Sequence, residues 1–192
     1  MGKKGDETKR YIKEKALSLF AEKGFKNVTM KDICAETGLS RGGLYRHYNS
    51  TCKIFSEIID GLMKAQNDEF SEKMKKGIAA AEILDEILNR YKCEMTDSEN
   101  SLSLAIYEYY SEKQADAENN MLLKQYESSV NMWQDFLSYG IQRGEFRNID
   151  CEEVIDIIIF SYQGVRMYSS VLLPSEKIAE RIISHIKKIL LL

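Results

Sequence analysis

The chain has 192 residues, enough for one compact body or for a small domain attached to a larger one. A single proline, Pro174, and 11 glycines leave too little punctuation for an all-β protein, and Leu, Ile, Lys, Glu, Ala and Met dominate long periodic stretches, so helix is predicted throughout. The formal net charge of −3 conceals a division: residues 1–53 hold 12 Lys/Arg against 6 Asp/Glu, and residues 54–192 hold 15 against 24, which sets a basic head on an acidic body.

The polar start, Met1 to Asp6, predicts disorder. From Thr8 to Lys23 the apolar residues Ile12, Ala16, Leu19 and Phe20 follow the spacing of a helix with one buried face, and Gly24 ends it. Thr29 then caps a short helix with Asp32 at the third position, a capping box with Asp in place of Glu, and Gly38 closes it. Ser40 is a fresh cap for a third helix over Arg41 to Tyr48. Two short helices joined by a tight glycine-containing turn predict a helix-turn-helix over about residues 29–48. Asn49 or Ser50 caps a longer fourth helix carrying Ile54, Phe55, Ile58, Ile59, Leu62 and Met63 and running to about Lys76.

Helical periodicity continues through Ile83, Leu84, Ile87, Leu88 and Tyr91, through Leu102, Ile106, Tyr109 and Tyr110, and through Leu122, Tyr126, Val130, Trp133, Leu137 and Ile141. The segment Cys151 to Leu172 is apolar on nearly every side and is expected to bury more than one face. Pro174 separates it from a last helix within Ser175 to Leu190, marked by Ile178, Ile182, Ile186 and Ile189. The fold class is therefore all-α, with about nine helices. A three-helix head that contains the helix-turn-helix occupies residues 6–53, and a larger helical body occupies residues 54–192.

The informative segment reads TMKDICAETGLSRGGLYRHYNSTCK from Thr29 to Lys53. On a helix starting at Arg41, Leu44 and Tyr48 share the inner side, Gly42, Gly43, Arg46 and His47 point outward, and Arg41 and Tyr45 lie at the flanks. Two exposed helical glycines cost about 1 kcal/mol each relative to Ala, and close approach of the backbone to a large partner is a physical reason to keep them. Double-stranded DNA is such a partner, entered through its major groove. Arg41 suits bidentate contact with guanine, while Tyr45, Arg46, His47 and Lys53 suit phosphates. Singly, Tyr45 and His47 read as packing or surface residues, and the ordered combination carries the signal.

That combination resembles the DNA-binding segment of the TetR family. Thr29, Ile33, Gly38, Ser40, Gly42, Leu44, Tyr45, His47 and Ser50 match its pattern in register, and Ala16, Leu19, Phe20 and Gly24 match upstream. Cys34 stands for the usual Ala and Tyr48 for the usual Phe, and Thr51 occupies a position where the family commonly has a phosphate-contacting Lys. The resemblance implies that Lys31, Arg41, Gly42 and Tyr45 read or approach bases, while Thr29, Gly43, His47 and Thr51 sit on the DNA backbone. With Ser40, Arg46 and Lys53 these form the expected DNA-facing set. A second run, GIQRGEFRNID, looks like the junction before the last two helices of many such proteins, which usually form the dimer interface. Val154, Ile158, Val165, Ile178, Ile182 and Ile186 are the interface candidates.

Aromatics and methionines crowd the body, and such side chains line apolar ligand pockets as readily as they fill cores. Tyr107, Tyr110, Tyr126, Trp133 and Tyr162 are the candidates to contact an apolar or aromatic effector, and Glu94, Glu99, Glu108 and Asp135 could pair with a cationic one. The four cysteines, Cys34, Cys52, Cys93 and Cys151, lack zinc-ligand spacing and read as reduced core thiols, with redox sensing as the functional alternative. No secretory signal or membrane-length apolar run stands out, so the expected compartment is the cytoplasm, with no metal and no cofactor. The function expected is a ligand-responsive, homodimeric DNA-binding regulator that represses from a palindromic operator, and not an enzyme. An all-α enzyme lacks any nucleophile–base pair or phosphate-cradling loop to support it, and a helical interaction module without DNA binding has only Thr51 in its favour.

Overall fold

A computed structural model describes residues 3–97, 101–113, 121–169 and 176–192. Nine α-helices are found among them: α1 (Lys3–Lys23), α2 (Met30–Thr37), α3 (Arg41–Tyr45), α4 (Thr51–Lys75), α5 (Ala80–Thr96), α6 (Ser103–Lys113), α7 (Met121–Gln142), α8 (Cys151–Ser169) and α9 (Glu176–Leu190). The all-α expectation holds. The one β-type pairing among the described residues is an isolated bridge between Phe146 and Leu191. Pro174, expected to divide α8 from α9, lies outside the described residues.

Two compact units emerge. The first takes the described residues of 1–64 and 102–117, the second those of 65–101 and 118–192, with α4 contributing to each. In the first unit α1 buries Ile12, Ala16, Leu19 and Phe20, as its periodicity predicted. Its start at Lys3 rather than Thr8 corrects the expectation of a disordered leader, because polar residues extend a helix without needing anything to bury. The Phe20 ring meets Phe55 edge-on at 4.7 Å, and Tyr109 of α6 packs against Phe25 and Phe55 at 5.0 and 5.1 Å. Thus α6, distant in sequence, completes the core of the head. Glu108 fastens the same helix to the α1–α2 turn by accepting the Lys26 N–H at 3.0 Å.

In the second unit a continuous core joins α5, α7, α8 and α9 with the C-terminal part of α4. Phe70, Trp133, Phe136 and Phe146 meet in edge-to-face pairs, with ring centroids 5.3–5.8 Å apart, around the aliphatic face of Ile83, Leu84, Ile87 and Leu88. Gly140 on α7 is required here, since a Cβ would stand 2.2 Å from the Phe146 ring. The Arg147 N–H donates to the Leu190 carbonyl at 2.9 Å, tying the α7–α8 junction to the end of α9. Helix α9 buries Ala179, Ile183, Ile186 and Leu190, so its inner stripe shares Ile186 with the prediction and is turned toward the neighbours of Ile178, Ile182 and Ile189, which are half-buried. No helix among the described residues is long and apolar enough to cross a membrane.

Candidate nucleic-acid interface

Local hydrogen bonding builds the head. Thr29 caps α2: its Oγ1 accepts the Asp32 N–H at 3.3 Å, and Asp32 Oδ2 accepts the Thr29 N–H at 2.8 Å. The Thr29 hydroxyl, which also donates to Asp32 Oδ2, and then the Thr29 N–H hold the Asp32 carboxyl below its ordinary range, so it is ionised where the α2 dipole favours a negative charge. Gly38 ends α2 with a left-handed φ of 69°, a conformation that costs glycine nothing. Ser40 Oγ then accepts the Gly43 N–H at 3.1 Å and starts α3.

Helix α3 is shorter than its sequence pattern predicts, Arg41–Tyr45 instead of Arg41 to Tyr48. The His47 N–H bonds the Leu44 carbonyl three residues back, the tight turn with which a helix stops. The inner side is unchanged by this: Leu44 and Tyr48 are both fully buried. Arg41, Gly42, Tyr45 and Arg46 are exposed, and Gly43 and His47 are half-buried. The Arg41 guanidinium lies 5.6 Å from the Tyr45 ring centroid, so cation and aromatic are presented together. A Cβ at Gly43 would meet Ser40 Oγ at 3.2 Å, whereas a Cβ at Gly42 would meet nothing within 4 Å. The fold itself therefore explains Gly43 and leaves Gly42 unexplained.

Around this helix the remaining candidates fall on element starts. Thr29 and Lys31 are exposed at the N-terminus of α2. Ser50 begins α4, its Oγ accepting the Lys53 N–H at 3.2 Å, which settles the Asn49 or Ser50 alternative in favour of Ser50. Thr51 is then the first residue of α4, half-buried, and Lys53 is exposed one position beyond Cys52. N-termini of helices present backbone N–H groups and a positive dipole end, both suited to phosphate.

A cluster the sequence reading did not name supports this surface. The Tyr48 hydroxyl donates to Glu57 Oε2 at 2.8 Å, and Lys9 and Lys53 approach Glu57 Oε1 at 3.6 and 3.7 Å. Burial pushes the Glu57 carboxyl up, but the Tyr48 hydrogen bond and the charges of Lys9, Lys53 and Lys13 outweigh it and hold the group below its ordinary range. Burial, with Glu57 beside it, pushes the Tyr48 phenol well above its usual range, so it remains a donor. The only hint of this cluster in the sequence was Tyr48 in place of the usual Phe, whose added hydroxyl is what reaches Glu57.

The five effector candidates divide between the two units. Tyr107 is exposed on α6 and Tyr110 is buried beside Tyr109 within the first unit. Trp133 and Tyr162 lie in the core of the second unit, and Tyr126 donates to Asp156 Oδ1 at 2.6 Å on its surface. A surface groove of about 610 Å³ runs along α9, bordered by Lys92, Arg147, Glu180 and Lys187, and none of the five lines it. Glu99, named as a partner for a cationic ligand, lies outside the described residues. Of the interface candidates, Val154, Ile158 and Ile186 are buried in the protomer core, Val165 and Ile182 sit half-buried at its margin, and Ile178 is half-buried. The apolar surface that α8 does expose is Ile157, Phe160 and Tyr168, at 46%, 63% and 65%. Sequence periodicity cannot say which side of an all-round apolar helix faces its own core.

The family model described as bacterial regulatory proteins, tetR family, matches residues 12–58, and that described as tetracyclin repressor-like, C-terminal domain, matches residues 83–181. The chain is 31% identical over 150 residues to the uncharacterized HTH-type transcriptional regulator YfiR of Bacillus subtilis, covering 75% of this chain and 70% of that one. It is 28% identical over 153 residues to the HTH-type transcriptional repressor KstR2 of Rhodococcus jostii, covering 79% and 73%. Among solved structures, a TetR transcriptional regulator from Chloroflexus aurantiacus superposes over the whole of both chains with a TM-score of 0.74 at 21% identity. A regulator from Saccharomonospora viridis in complex with choline gives 0.70 at 20% identity, over 97% of this chain and 99% of that one.

Proposed function

The chain belongs to the TetR family of bacterial regulatory proteins, and on that premise we propose how this ligand-responsive, DNA-binding transcriptional regulator engages its operator. Residues 6–53 are the DNA-binding domain and residues 54–192 the effector-binding and dimerisation domain, acting in the cytoplasm. Helix α3 enters the major groove of a palindromic operator. Arg41 takes a guanine edge, Lys31 and Tyr45 approach bases, and Thr29, Ser40, Gly43, Arg46, His47, Thr51 and Lys53 hold backbone phosphates. The observation that carries this reading is Gly42, exposed on α3 with open space where a Cβ would stand. A glycine that costs helix stability and that no contact within the protein requires fits a surface against which another molecule's backbone closes.

Two copies present two such helices, and two-fold symmetry suits operator half-sites about 34–36 Å apart. The exposed Ile157, Phe160 and Tyr168 of α8 supply the apolar surface for that pairing. The protein represses, as its KstR2 relative does by name, and a small molecule bound in the body lowers operator affinity. Gel-shift titration with the DNA upstream of its own gene, followed by selection from a random duplex library, tests the reading. A palindromic consensus with one dimer per site is expected. Binding no tighter to selected than to scrambled duplex would remove the regulator assignment for this helix-turn-helix and leave the interaction-module alternative.

A further inference from the structure

The second unit contains a chain of alternating acid and base that ends without its last acid. Lys73 Nζ lies 2.9 Å from Glu69 Oε1. Glu69 also accepts a hydrogen bond from Arg90, whose Nε is 3.8 Å from Glu94 Oε1. Glu94 Oε2 accepts the Tyr162 hydroxyl, and the Tyr162 oxygen in turn accepts from Arg166 Nη1 at 2.9 Å. Among the described residues Lys73 and Arg90 thus both face carboxylates, and Arg166 faces none. Its one hydrogen bond among the described residues goes to a phenol, its guanidinium carbon lies 5.0 Å from that ring's centroid, and its Nε is buried with no acceptor among them. Nη2 of Arg90, further along the same chain, is likewise buried without an acceptor.

An unpaired guanidinium nitrogen loses its hydration without compensation, which is the costly state for a buried donor. Tyr162 cannot supply the missing charge: burial, with Glu94 adding to it and Arg166 opposing, drives its phenol far above the usual range, and it stays neutral. The position of Arg166 in the last turn of α8 gives it a favourable helix dipole, but the dipole provides no acceptor at Nε. Beside it the Tyr162 ring stacks on Tyr91 at 4.0 Å, and Tyr91 lies 6.2 Å from Trp133, three nearly buried core rings with a cation at their edge.

We propose that Arg166 is the anion-recognition point of the effector site, and that the effector is a carboxylic acid with an apolar or aromatic body. The carboxylate takes the vacant Nε edge of the guanidinium fork, and the body enters by displacing the Tyr162 ring from its stack on Tyr91. This deepens the reading of the body as a small-molecule sensor and rests on it. It also opposes a cationic effector, since among the described residues the carboxylate that touches these rings, Glu94, is already engaged by Tyr162 and Arg90.

Trp133 is the chain's single tryptophan, so its fluorescence reports on this cluster in the full-length protein. The probes are octanoate and phenylacetate, their uncharged amides, and choline. The acids are expected to change Trp133 emission and raise the melting temperature, binding about tenfold or more tighter than the amides. Arg166→Gln is expected to erase that preference and Arg166→Lys to keep part of it, with circular dichroism melts showing both variants folded. Equal binding of acid and amide, a preference for choline, retention of the preference in a folded Arg166→Gln, or no response to either acid at millimolar concentration would overturn the proposal. The acid–amide comparison on the wild type decides even if a variant fails to fold. Operator release is measured separately: acid binding without release counts against the sensor reading alone, and release by choline or an amide with the acids silent counts against the anion site alone.

Discussion

Gly42 and Gly43 are adjacent and chemically identical, yet their surroundings assign them different work. Gly42→Ala adds a methyl into open space on a helix, so it is expected to stabilise the fold by about 0.5–1 kcal/mol while weakening operator affinity. Gly43→Ala presses on Ser40 Oγ, the cap of its own helix, and is expected to lower both. Thermal melts set beside gel shifts check the pair, and a Gly42→Ala protein that binds operator normally would mean nothing closes on that face. Arg41→Ala is expected to cost about 1–3 kcal/mol per half-site and to relax preference at one position of each. Thr51→Lys is expected to tighten binding to operator and random DNA alike and to steepen the log–log salt dependence by about 1 per contact. Titrations on operator and scrambled duplex at several salt concentrations separate readout from positioning. Glu57 carries a pH consequence. Its folded carboxyl titrates below its ordinary 4.5, so its contribution to stability is complete above that value and is lost as pH falls through the lower, folded one. Glu57→Gln is expected to flatten this part of the acid limb in melts across that window.

At the level of elements, the short helices depend on their caps. Thr29→Ala removes the acceptor for the Asp32 N–H and a partner of the Asp32 carboxylate, and is expected to cost about 0.5–2 kcal/mol in denaturant melts. Helix α8 offers a sharper test because its two faces do different things. Ile158 is 0% exposed, so Ile158→Glu buries an unpaired charge and is expected to unfold the protomer. Phe160→Glu changes a side chain that is 63% exposed, and is expected to leave the helical circular dichroism intact while shifting light-scattering mass toward monomer. A dimeric Phe160→Glu protein would place the interface elsewhere. Periodicity could not make this distinction, because an apolar residue every three or four positions satisfies a protomer core and a partner equally well.

For the whole molecule, an effector acts only through its differential affinity for the free and DNA-bound states. The factor by which it weakens operator binding must therefore equal the factor by which operator weakens its own binding, and titrations in both orders check this equality. What the sequence determined by itself is local in origin. The periodicity of helix 1, the Thr29–Asp32 capping box, the Gly38 stop and the Ser40 cap each depend on residues within a few positions of one another, so the capped helix-turn-helix was legible down to named side chains. The split of charge between head and body was legible for the same reason, being a sum along the chain. Tertiary structure alone decided the rest. It set Tyr109 of α6 against Phe25 and Phe55, turned Ile158 inward and Phe160 outward, gathered Lys9 and Lys53 on Glu57, and left Arg166 with no acid among the described residues. These arrangements join residues on different helices or choose between equivalent faces of one helix. A helical period states that a face is apolar, and only packing states what that face meets.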